Sequence, residues 1–415
     1  MIKLKGIKYP TIVYSAIIVI VCWSLLEGWI PAFRRKWLFL AVGLFLSIPY
    51  ATSFFRSKRF WYLLLYVAIL LLNFLSGDSY FYDFGSVGFE FFALAFPAVV
   101  SYYLFKEYSK ANILVVLFSF FFVLVYTSLA SFIIDLTLES NAIRLMTRYS
   151  ITLGDMSTVY GFYRLGLSTY SFPHSMPILI PPLVMGIKNK HLNRWGKICC
   201  IILLISTLML VWLSGIMTAL LLSILFLILS SITQVGDVGR NIKKLSIIIL
   251  LSLPLFSNTF LLDITQYSKS IVDENSFYYE KLEYFEEELQ SPDENSDRGE
   301  DWDERQELYA KSLSGFIDNI IIGTNDHVGQ HSTFLDRLGV LGIVGFIPFA
   351  LFIYYQYSEN KKHIKSNYFI FYIEGYIAGI MMLALKSSFS VYIWIIMFTI
   401  LPLTTHILSL NENNK

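Results

Sequence analysis

The stretch ANILVVLFSFFFVLVYTSLASFII, residues 111–134, contains no charged side chain. A helix needs about 20 apolar residues to cross the hydrocarbon core of a bilayer, so this stretch predicts a transmembrane helix. Similar runs on both sides of it predict further spans at 11–31, 37–54, 60–76, 84–105, 172–187, 198–213, 215–233, 245–262, 338–356, 367–385 and 388–409. The chain is therefore predicted to be an all-α polytopic membrane protein with about twelve transmembrane helices.

The composition agrees with this class of protein. Hydrophobic residues make up 55% of the 415 residues, and the mean hydropathy is +0.58. The formal net charge is +1, without a basic face or an arginine-rich tail, so nucleic acid is excluded as a predicted partner. The first apolar run is too long for a secretory signal and lacks a small-residue cleavage site, which predicts a retained helix.

The basic loops predict how the helices are oriented. Four loops rich in Lys and Arg fall on one side of the predicted membrane, at 56–59, 188–197, 240–244 and 361–365. Because short cytoplasmic loops carry an excess of Lys and Arg, this side and both termini are predicted to be cytoplasmic. The basic loop at 34–36 falls on the other side, which leaves the orientation of the first hairpin open.

Two long loops on the outer side, at 135–171 and 263–337, organise the chain. Helices one to nine occupy residues 1–262, and the last three helices with a short cytoplasmic tail occupy 338–415. Long loops in compact proteins are usually functional or disordered. The loop at 263–337 holds most of the chain's 31 acidic residues, so we expect water or carbohydrate around it.

The acidic loop is predicted to be partly helical. In SFYYEKLEYFEEELQ, residues 276–290, apolar side chains recur at helical spacing, at Tyr278, Leu282, Phe285 and Leu289. The pattern predicts an amphipathic helix that lies on the bundle. A second helix is predicted from Asp303 to Ile317.

The segment GQHSTFLDRLGVLGIVGF, residues 329–346, places polar side chains directly before a glycine-spaced apolar run. His331 and Ser332 are followed after nine residues by Gly342, and after two more by Gly345. This spacing resembles the signature of the O-antigen ligase and polymerase superfamily, membrane enzymes that handle polyprenyl-diphosphate-linked glycans. Small residues let membrane helices approach closely, so both glycines are predicted to mark a tight contact with a neighbouring helix.

A second stretch, ERQELYAKSLSGFIDNIIIGTN, residues 304–325, resembles the same family. Arg305, Tyr309 and Gly323 stand at the family's offsets, and Ile320 occupies the place of a usual proline.

The third match is YRLGLSTYSFPH, residues 163–174, which retains Arg164, Gly166 and Pro173 but has His174 in place of an asparagine. LSGIMTA, residues 213–219, resembles a family helix but lacks its serine and arginine. The resemblance covers roughly residues 160–350.

The resemblance implies an enzyme of the bacterial inner membrane whose active site faces the periplasm. It would be an O-antigen polymerase of the Wzy type, which transfers glycan from undecaprenyl diphosphate to a sugar hydroxyl of another lipid-linked repeat unit. Its implied partners are that lipid-linked oligosaccharide, membrane lipid and a chain-length regulator. The first alternative is the O-antigen ligase, which transfers finished chains to the lipid A core.

A glycolipid flippase or other transporter is an alternative from a different class. Transporters use broken helices and paired charges near the middle of the membrane. The clearest ionisable residues within the predicted spans are few, namely Glu90, Glu374 and Lys386. Most of the acidic side chains lie in one outer loop instead, which favours an enzyme over a transporter.

The chemistry of the transfer assigns roles to the matched residues. A polyprenyl-diphosphate sugar is already activated, so transfer needs a base for the acceptor's proton and positive charge for the leaving diphosphate. His331 is the predicted base, because an ordinary histidine pKa of about 6.5 suits proton transfer near neutral pH. Arg305 and Arg164 are predicted to bind the diphosphate. Candidate supporting residues are Ser332, Tyr309, Arg298 and Arg337.

Each of these residues also has a purely structural interpretation. A histidine at a helix start often caps the helix or lies at the interface, and Arg305 has acids around it that could form solvated ion pairs. Arg298 lies in a turn rich in Ser, Asp and Gly, and Arg337 could anchor a helix end.

No cofactor and no metal are predicted. Asp326, His327 and His331 form an incomplete ligand set for zinc. The segment 293–304 nearly fits a calcium loop, but Arg298 occupies the position that requires glycine. The sequence therefore predicts a metal-independent glycosyltransferase.

Overall fold

The computed structural model describes residues 9–30, 36–49, 51–75, 84–107, 110–137, 161–162, 164–167, 171–236, 258–274, 278–279, 282–283, 286, 300–324, 328–329, 332–385 and 391–410. Within these residues the regular structure is helical, and no strand occurs. This confirms the prediction of an all-α protein.

Seven helices of the described chain are long and apolar enough to cross a membrane. They are Lys58–Leu75, Ser86–Lys106, Lys110–Thr137, Arg194–Ser214, Thr333–Lys361, Ser366–Leu385 and Val391–Leu410. They identify a multi-pass membrane protein, as the composition predicted. Four shorter apolar helices accompany them, at Thr11–Val21, Leu38–Ser47, Met176–Lys188 and Thr218–Ile232.

The predicted count of about twelve spans is wrong for the part of the chain that the structure describes. The predicted first span is interrupted at Cys22, which separates the helices Tyr9–Val21 and Trp23–Trp29. Gly215, with φ of 65°, ends the Arg194–Ser214 helix, and the next helix is only 16 residues long. Four of the predicted spans are instead apolar helices of 10–17 residues, shorter than a full crossing, which explains much of the overcount. The predicted span 245–262 lies mostly outside the described residues.

The helix ends that carry the predicted cytoplasmic loops meet at one end of the bundle, which we call the basic end. The contacts that join them are hydrogen bonds from Arg59 to Gln356 (2.8 Å), Lys188 to the Thr233 carbonyl (2.6 Å), Gly236 to the Asn367 carbonyl (3.0 Å) and His406 to the His363 carbonyl (2.6 Å). This arrangement agrees with the predicted grouping of those loops on one side.

The described parts of the acidic loop pack at the opposite end. The ring of Tyr278 stacks on Trp212, near the end of the Arg194–Ser214 helix, with 4.4 Å between centroids, and its hydroxyl donates to the Trp212 carbonyl. The helix Asn258–Ile271 crosses the predicted boundary between span nine and the loop. Its Lys269 pairs with Glu286 at 2.8 Å, and this hydrogen bond raises the pKa of Lys269 above its ordinary value. Most of the predicted helix 276–290 lies outside the described residues.

Two helices position the candidate site. The first is Glu300–Asp318, here called the loop helix, which confirms the helix predicted from Asp303 to Ile317. The second is Thr333–Lys361, here called the broken helix, because Gly342 inside it has non-helical backbone angles of φ 58° and ψ −162°. The loop helix packs along the first part of the broken helix.

Candidate functional site

One buried serine ties the loop helix to the start of the broken helix. The Ser312 hydroxyl donates to the Asp336 carboxylate at 2.8 Å and accepts the Gly329 N–H at 3.0 Å. Ser312 and Asp336 are both about 1% exposed. Since Gly329 precedes His331 and Asp336 follows it, the serine holds the chain on both sides of the predicted base.

Glycines allow the two helices to lie this close. A Cβ on Gly329 would lie 1.8 Å from the Leu308 carbonyl oxygen, and one on Gly339 would lie 2.6 Å from that of Ser312. Such separations are impossible for real atoms. Only glycine therefore fits at these two points of contact with the loop helix.

The break at Gly342 is a second close approach, made by the turn that follows the loop helix. Gly342 has φ of 58°, and a Cβ there would lie 2.4 Å from the Ile321 carbonyl oxygen. Gly323 on that turn has φ of 74°, and its Cβ would lie 2.3 Å from the Val340 backbone. The prediction of a tight contact at Gly342 is thus confirmed, although the contact is with a turn and the helix is broken there. Gly345 instead adjoins the side chain of Leu341 in its own helix.

The turn satisfies the backbone groups that the break releases. Hydrogen bonds run from Ile343 N to the Ile320 carbonyl (2.9 Å), from Val344 N to the Ile321 carbonyl (3.1 Å) and from Thr324 N to the Gly339 carbonyl (2.9 Å). Within a membrane every backbone polar group needs such a partner. The turn at 320–324 is therefore part of the broken helix's own architecture.

The structure places the predicted site residues unequally around this junction. His331 and Arg298 lie outside the described residues, and Arg305 lies on the loop helix with its side chain undescribed. Ser332 is buried and caps the broken helix, its hydroxyl accepting the Leu335 N–H at 3.2 Å. Tyr309 donates to the Leu385 carbonyl at 2.8 Å, which joins the loop helix to the end of another spanning helix.

Arg337, a candidate supporting residue, is turned into the bundle. It is 4% exposed and forms an ion pair with Glu90, which is 5% exposed. Its Nε also donates to the Tyr66 hydroxyl at 2.7 Å, while Tyr66 donates to Glu90. The guanidinium lies 5.2 Å from the centre of the Phe349 ring. Its charge is thus compensated by a carboxylate within the protein.

Arg164 belongs to a segment that packs against helices other than the loop helix and the broken helix. Its side chain is exposed, and the neighbouring Gly166, with φ of 84°, packs against Tyr126 and Leu25. Pro173 and His174 are buried. Tyr126 and Leu25, which Gly166 contacts, lie on neither the loop helix nor the broken helix.

An apolar groove runs beside the junction. It encloses about 360 Å³ between the broken helix and the Phe369–Leu385 helix, from Phe334 to Tyr357. Aromatic and aliphatic side chains line it, including Phe346, Ile353 and Ile377. Phe334 is two residues from Ser332, so one end of the groove lies beside the junction.

Metal ligands do not gather at this junction within the described residues. No group of three or more His, Cys, Asp or Glu side chains suited to a metal ion occurs in the described part of the chain. The zinc-like set of Asp326, His327 and His331 lies outside that part, as do the side chains of the calcium-like segment 293–304.

Sequence reasoning missed Ser312 and Asp336, which hold the junction together. Neither residue belongs to the matched spacing, and a serine on an acidic, exposed-looking helix carries no pattern of its own. Glu90 was recognised as an ionisable residue inside a span, but its partner Arg337 lies 247 positions away along the chain. Only the fold reveals that pair.

Comparison with models of known protein families and with curated proteins gave no match to this chain.

Proposed function

We propose that this protein is a membrane glycosyltransferase that uses a polyprenyl-diphosphate-linked donor, with its active site at the junction of the loop helix and the broken helix. One observation carries the proposal. The stretches 305–323 and 331–345, whose resemblance to the polymerase and ligase superfamily was noted separately, form one unit around Ser312 in the structure. Two of the matched glycines, Gly323 and Gly342, stand where only glycine fits, which gives that part of the shared spacing a physical purpose.

The proposed reaction joins an acceptor sugar to the donor glycan. The acceptor hydroxyl oxygen attacks the anomeric carbon of the donor, and the bond from that carbon to the diphosphate oxygen breaks. His331 takes the hydroxyl proton, and undecaprenyl diphosphate leaves with the electron pair. Arg305 binds the diphosphate with two hydrogen bonds and offsets its growing charge, with Arg164 as the second candidate.

The described residues support the pairing of His331 with Arg305. Gly329 lies against the backbone of Leu308, one helical turn after Arg305. Ser332, directly after His331, is buried at the start of the broken helix. Both proposed residues therefore belong to segments whose described neighbours touch.

The apolar groove supports a donor that carries a hydrocarbon chain. It begins beside the junction and follows two spanning helices. We propose that the protein lies in the bacterial inner membrane, with the acidic loop in the periplasm and the basic end in the cytoplasm. A chain-length regulator is a proposed protein partner.

Two features of the structure are also typical of transporters, namely the broken helix and the buried pair of Arg337 and Glu90. Transporters use the free backbone groups of a broken helix to bind ions or substrate. Here the turn at 320–324 already binds three groups freed around Gly342, namely the N–H groups of Ile343 and Val344 and the carbonyl of Gly339. This favours the enzyme over the transporter.

Lipopolysaccharide from a strain that lacks this chain would test the proposal. We expect the electrophoretic ladder to collapse to core carrying a single repeat, because polymerisation is lost while ligation continues. Core without any repeat, with polymer retained on the polyprenyl lipid, would instead identify the ligase. An unchanged ladder would contradict both assignments. Plasmid-borne protein should restore a ladder that the deletion has removed.

A further inference from the structure

Exposed aliphatic side chains form a strip along the end of the loop helix and the turn that follows it. The isoleucine strip consists of Leu313, Ile317, Ile320, Ile321 and Ile322. Ile321 is 66% exposed and Ile317 is 61% exposed. A surface in contact with water rarely carries so many neighbouring aliphatic side chains, so we expect the strip to contact an apolar partner.

The loop helix divides its surface into three faces. Ser312 and Gly315 face the broken helix and are buried. Lys311, Ser314 and Asp318 are exposed on a polar face. At 3.6 residues per turn, Leu313 and Ile317 project on the remaining side, which borders the polar face between Ile317 and Ser314. A helix with one polar and one apolar exposed face is suited to the boundary between water and lipid.

The strip is continuous with a surface that faces the membrane. The turn that holds Ile320 and Ile321 is hydrogen-bonded to the backbone of Ile343 and Val344 in the broken helix. Ile343, Val344 and Ile347 are exposed on a helix long and apolar enough to span a membrane. We expect exposed side chains on such a helix to contact lipid, and the hydrogen bonds of the turn place the strip beside them.

We propose that the isoleucine strip inserts into the hydrocarbon of the adjacent leaflet and anchors the loop helix to the membrane surface. Phospholipid acyl chains are the proposed partner, because among the described residues no charged side chain separates the strip from Ile343, Val344 and Ile347. The polar face of the same helix then contacts the headgroups and water.

Spin labels at single cysteines would test this anchor in the full-length protein. The native cysteines, Cys22, Cys199 and Cys200, are first replaced by alanine, and the protein is reconstituted in phosphatidylethanolamine and phosphatidylglycerol vesicles. Labels are compared at Ile317→Cys and Ile321→Cys on the strip. Ser314→Cys on the polar face of the same helix is the matched control.

We expect the strip labels to collide more often with oxygen, which partitions into hydrocarbon, than with a water-soluble nickel complex. The Ser314→Cys label should show the reverse order. Strip labels as accessible to nickel as the control would overturn the proposal. Labels shielded from both reagents would also overturn it, because they would indicate a protein partner or a second copy of the chain.

A second measurement covers the case in which the cysteine-free chain does not fold. Benzoylphenylalanine is introduced at position 321 or 314 of the chain with its cysteines intact, and the vesicles are irradiated. We expect lipid adducts from position 321 and few from position 314. Adducts of position 321 with protein instead of lipid, or equal lipid yields from the two positions, would contradict the anchor.

Discussion

At the scale of single residues, Gly342 has a backbone conformation that is almost restricted to glycine. Its φ of 58° and ψ of −162° would strain any side chain, and a Cβ would also meet the Ile321 carbonyl. We predict that Gly342→Ala lowers the stability of the protein by about 1–3 kcal/mol or more. Thermal unfolding in detergent micelles would measure the change.

Gly88→Ala is the matched control for that substitution. Gly88 lies inside the Phe84–Glu107 helix, and a Cβ there would meet no atom within 4 Å. Replacing a glycine in a helix interior should raise stability by roughly 0.5–1 kcal/mol. Equal melting temperatures for Gly342→Ala and the parent protein would show that the break at Gly342 is not fixed by this contact.

His363 at the basic end predicts a dependence of stability on pH. Its ring stacks on Phe105, with 4.3 Å between centroids, and burial lowers the pKa of His363 below its ordinary value of 6.5. Because the folded protein disfavours the protonated ring, its stability is retained above pH 6.5 and falls as the pH drops through that value. Since the side chain is partly exposed, we expect a small effect.

His363→Phe keeps an aromatic ring on Phe105 but removes the titration. We therefore predict that the melting temperature of the variant declines less between pH 7 and pH 5 than that of the parent protein. Calorimetric scans at matched ionic strength would measure both slopes. A steeper decline in the variant would reverse the sign of the argument.

At the scale of elements, the Ser312 hydroxyl joins the loop helix to the start of the broken helix. Ser312→Ala leaves the buried Asp336 carboxylate and the Gly329 N–H without this hydrogen bond. We predict a loss of stability of about 1–3 kcal/mol and a loss of glycosyl transfer, because the segment around His331 is released. Unfolding and transfer assays on the same preparation would measure both effects.

Ser314→Ala on the exposed polar face of the same helix is the control for Ser312→Ala. Its stability should stay within about 0.5 kcal/mol of the parent protein. Similar losses of stability in Ser312→Ala and Ser314→Ala would show that the hydrogen bonds of Ser312 are not the cause of the effect.

Arg337 joins the broken helix to two other spanning helices, through its ion pair with Glu90 and its hydrogen bond to the Tyr66 hydroxyl. Removing one partner leaves a buried charge, so we predict that Arg337→Met costs about 3–5 kcal/mol. Adding Glu90→Gln to that variant should recover part of the loss, because the uncompensated carboxylate is then neutral. A double-mutant cycle of melting curves would show this coupling, and strict additivity would argue against the pair.

Some of these elements could be predicted from sequence and others could not. The loop helix was predicted from Asp303 to Ile317, and the glycine positions indicated a tight contact. The break at Gly342 was hidden because apolar residues continue on both sides of it, and hydropathy does not register a change of backbone angle. The roles of Ser312 and Glu90 depend on partners that only the fold brings near.

At the scale of the whole molecule, composition determined the class of protein but overcounted its spans. The apolar run 11–31 met the length rule, yet a break at Cys22 divides it into two short helices. The grouping of the Lys- and Arg-rich loops at one end of the bundle was predictable, because successive spanning helices run in opposite directions. The buried polar contacts inside the bundle, such as that of Arg59 with Gln356, required the structure.

The function proposed for the junction of the loop helix and the broken helix is transfer of a glycan from a polyprenyl diphosphate. The most direct test is single-turnover transfer by purified protein in vesicles, measured together with donor binding, for the parent protein and His331→Ala. We predict that the variant binds the lipid-linked donor almost as well, while its rate falls by about 100-fold or more, the usual contribution of a positioned base. Transfer at the parental rate by His331→Ala would contradict the claim.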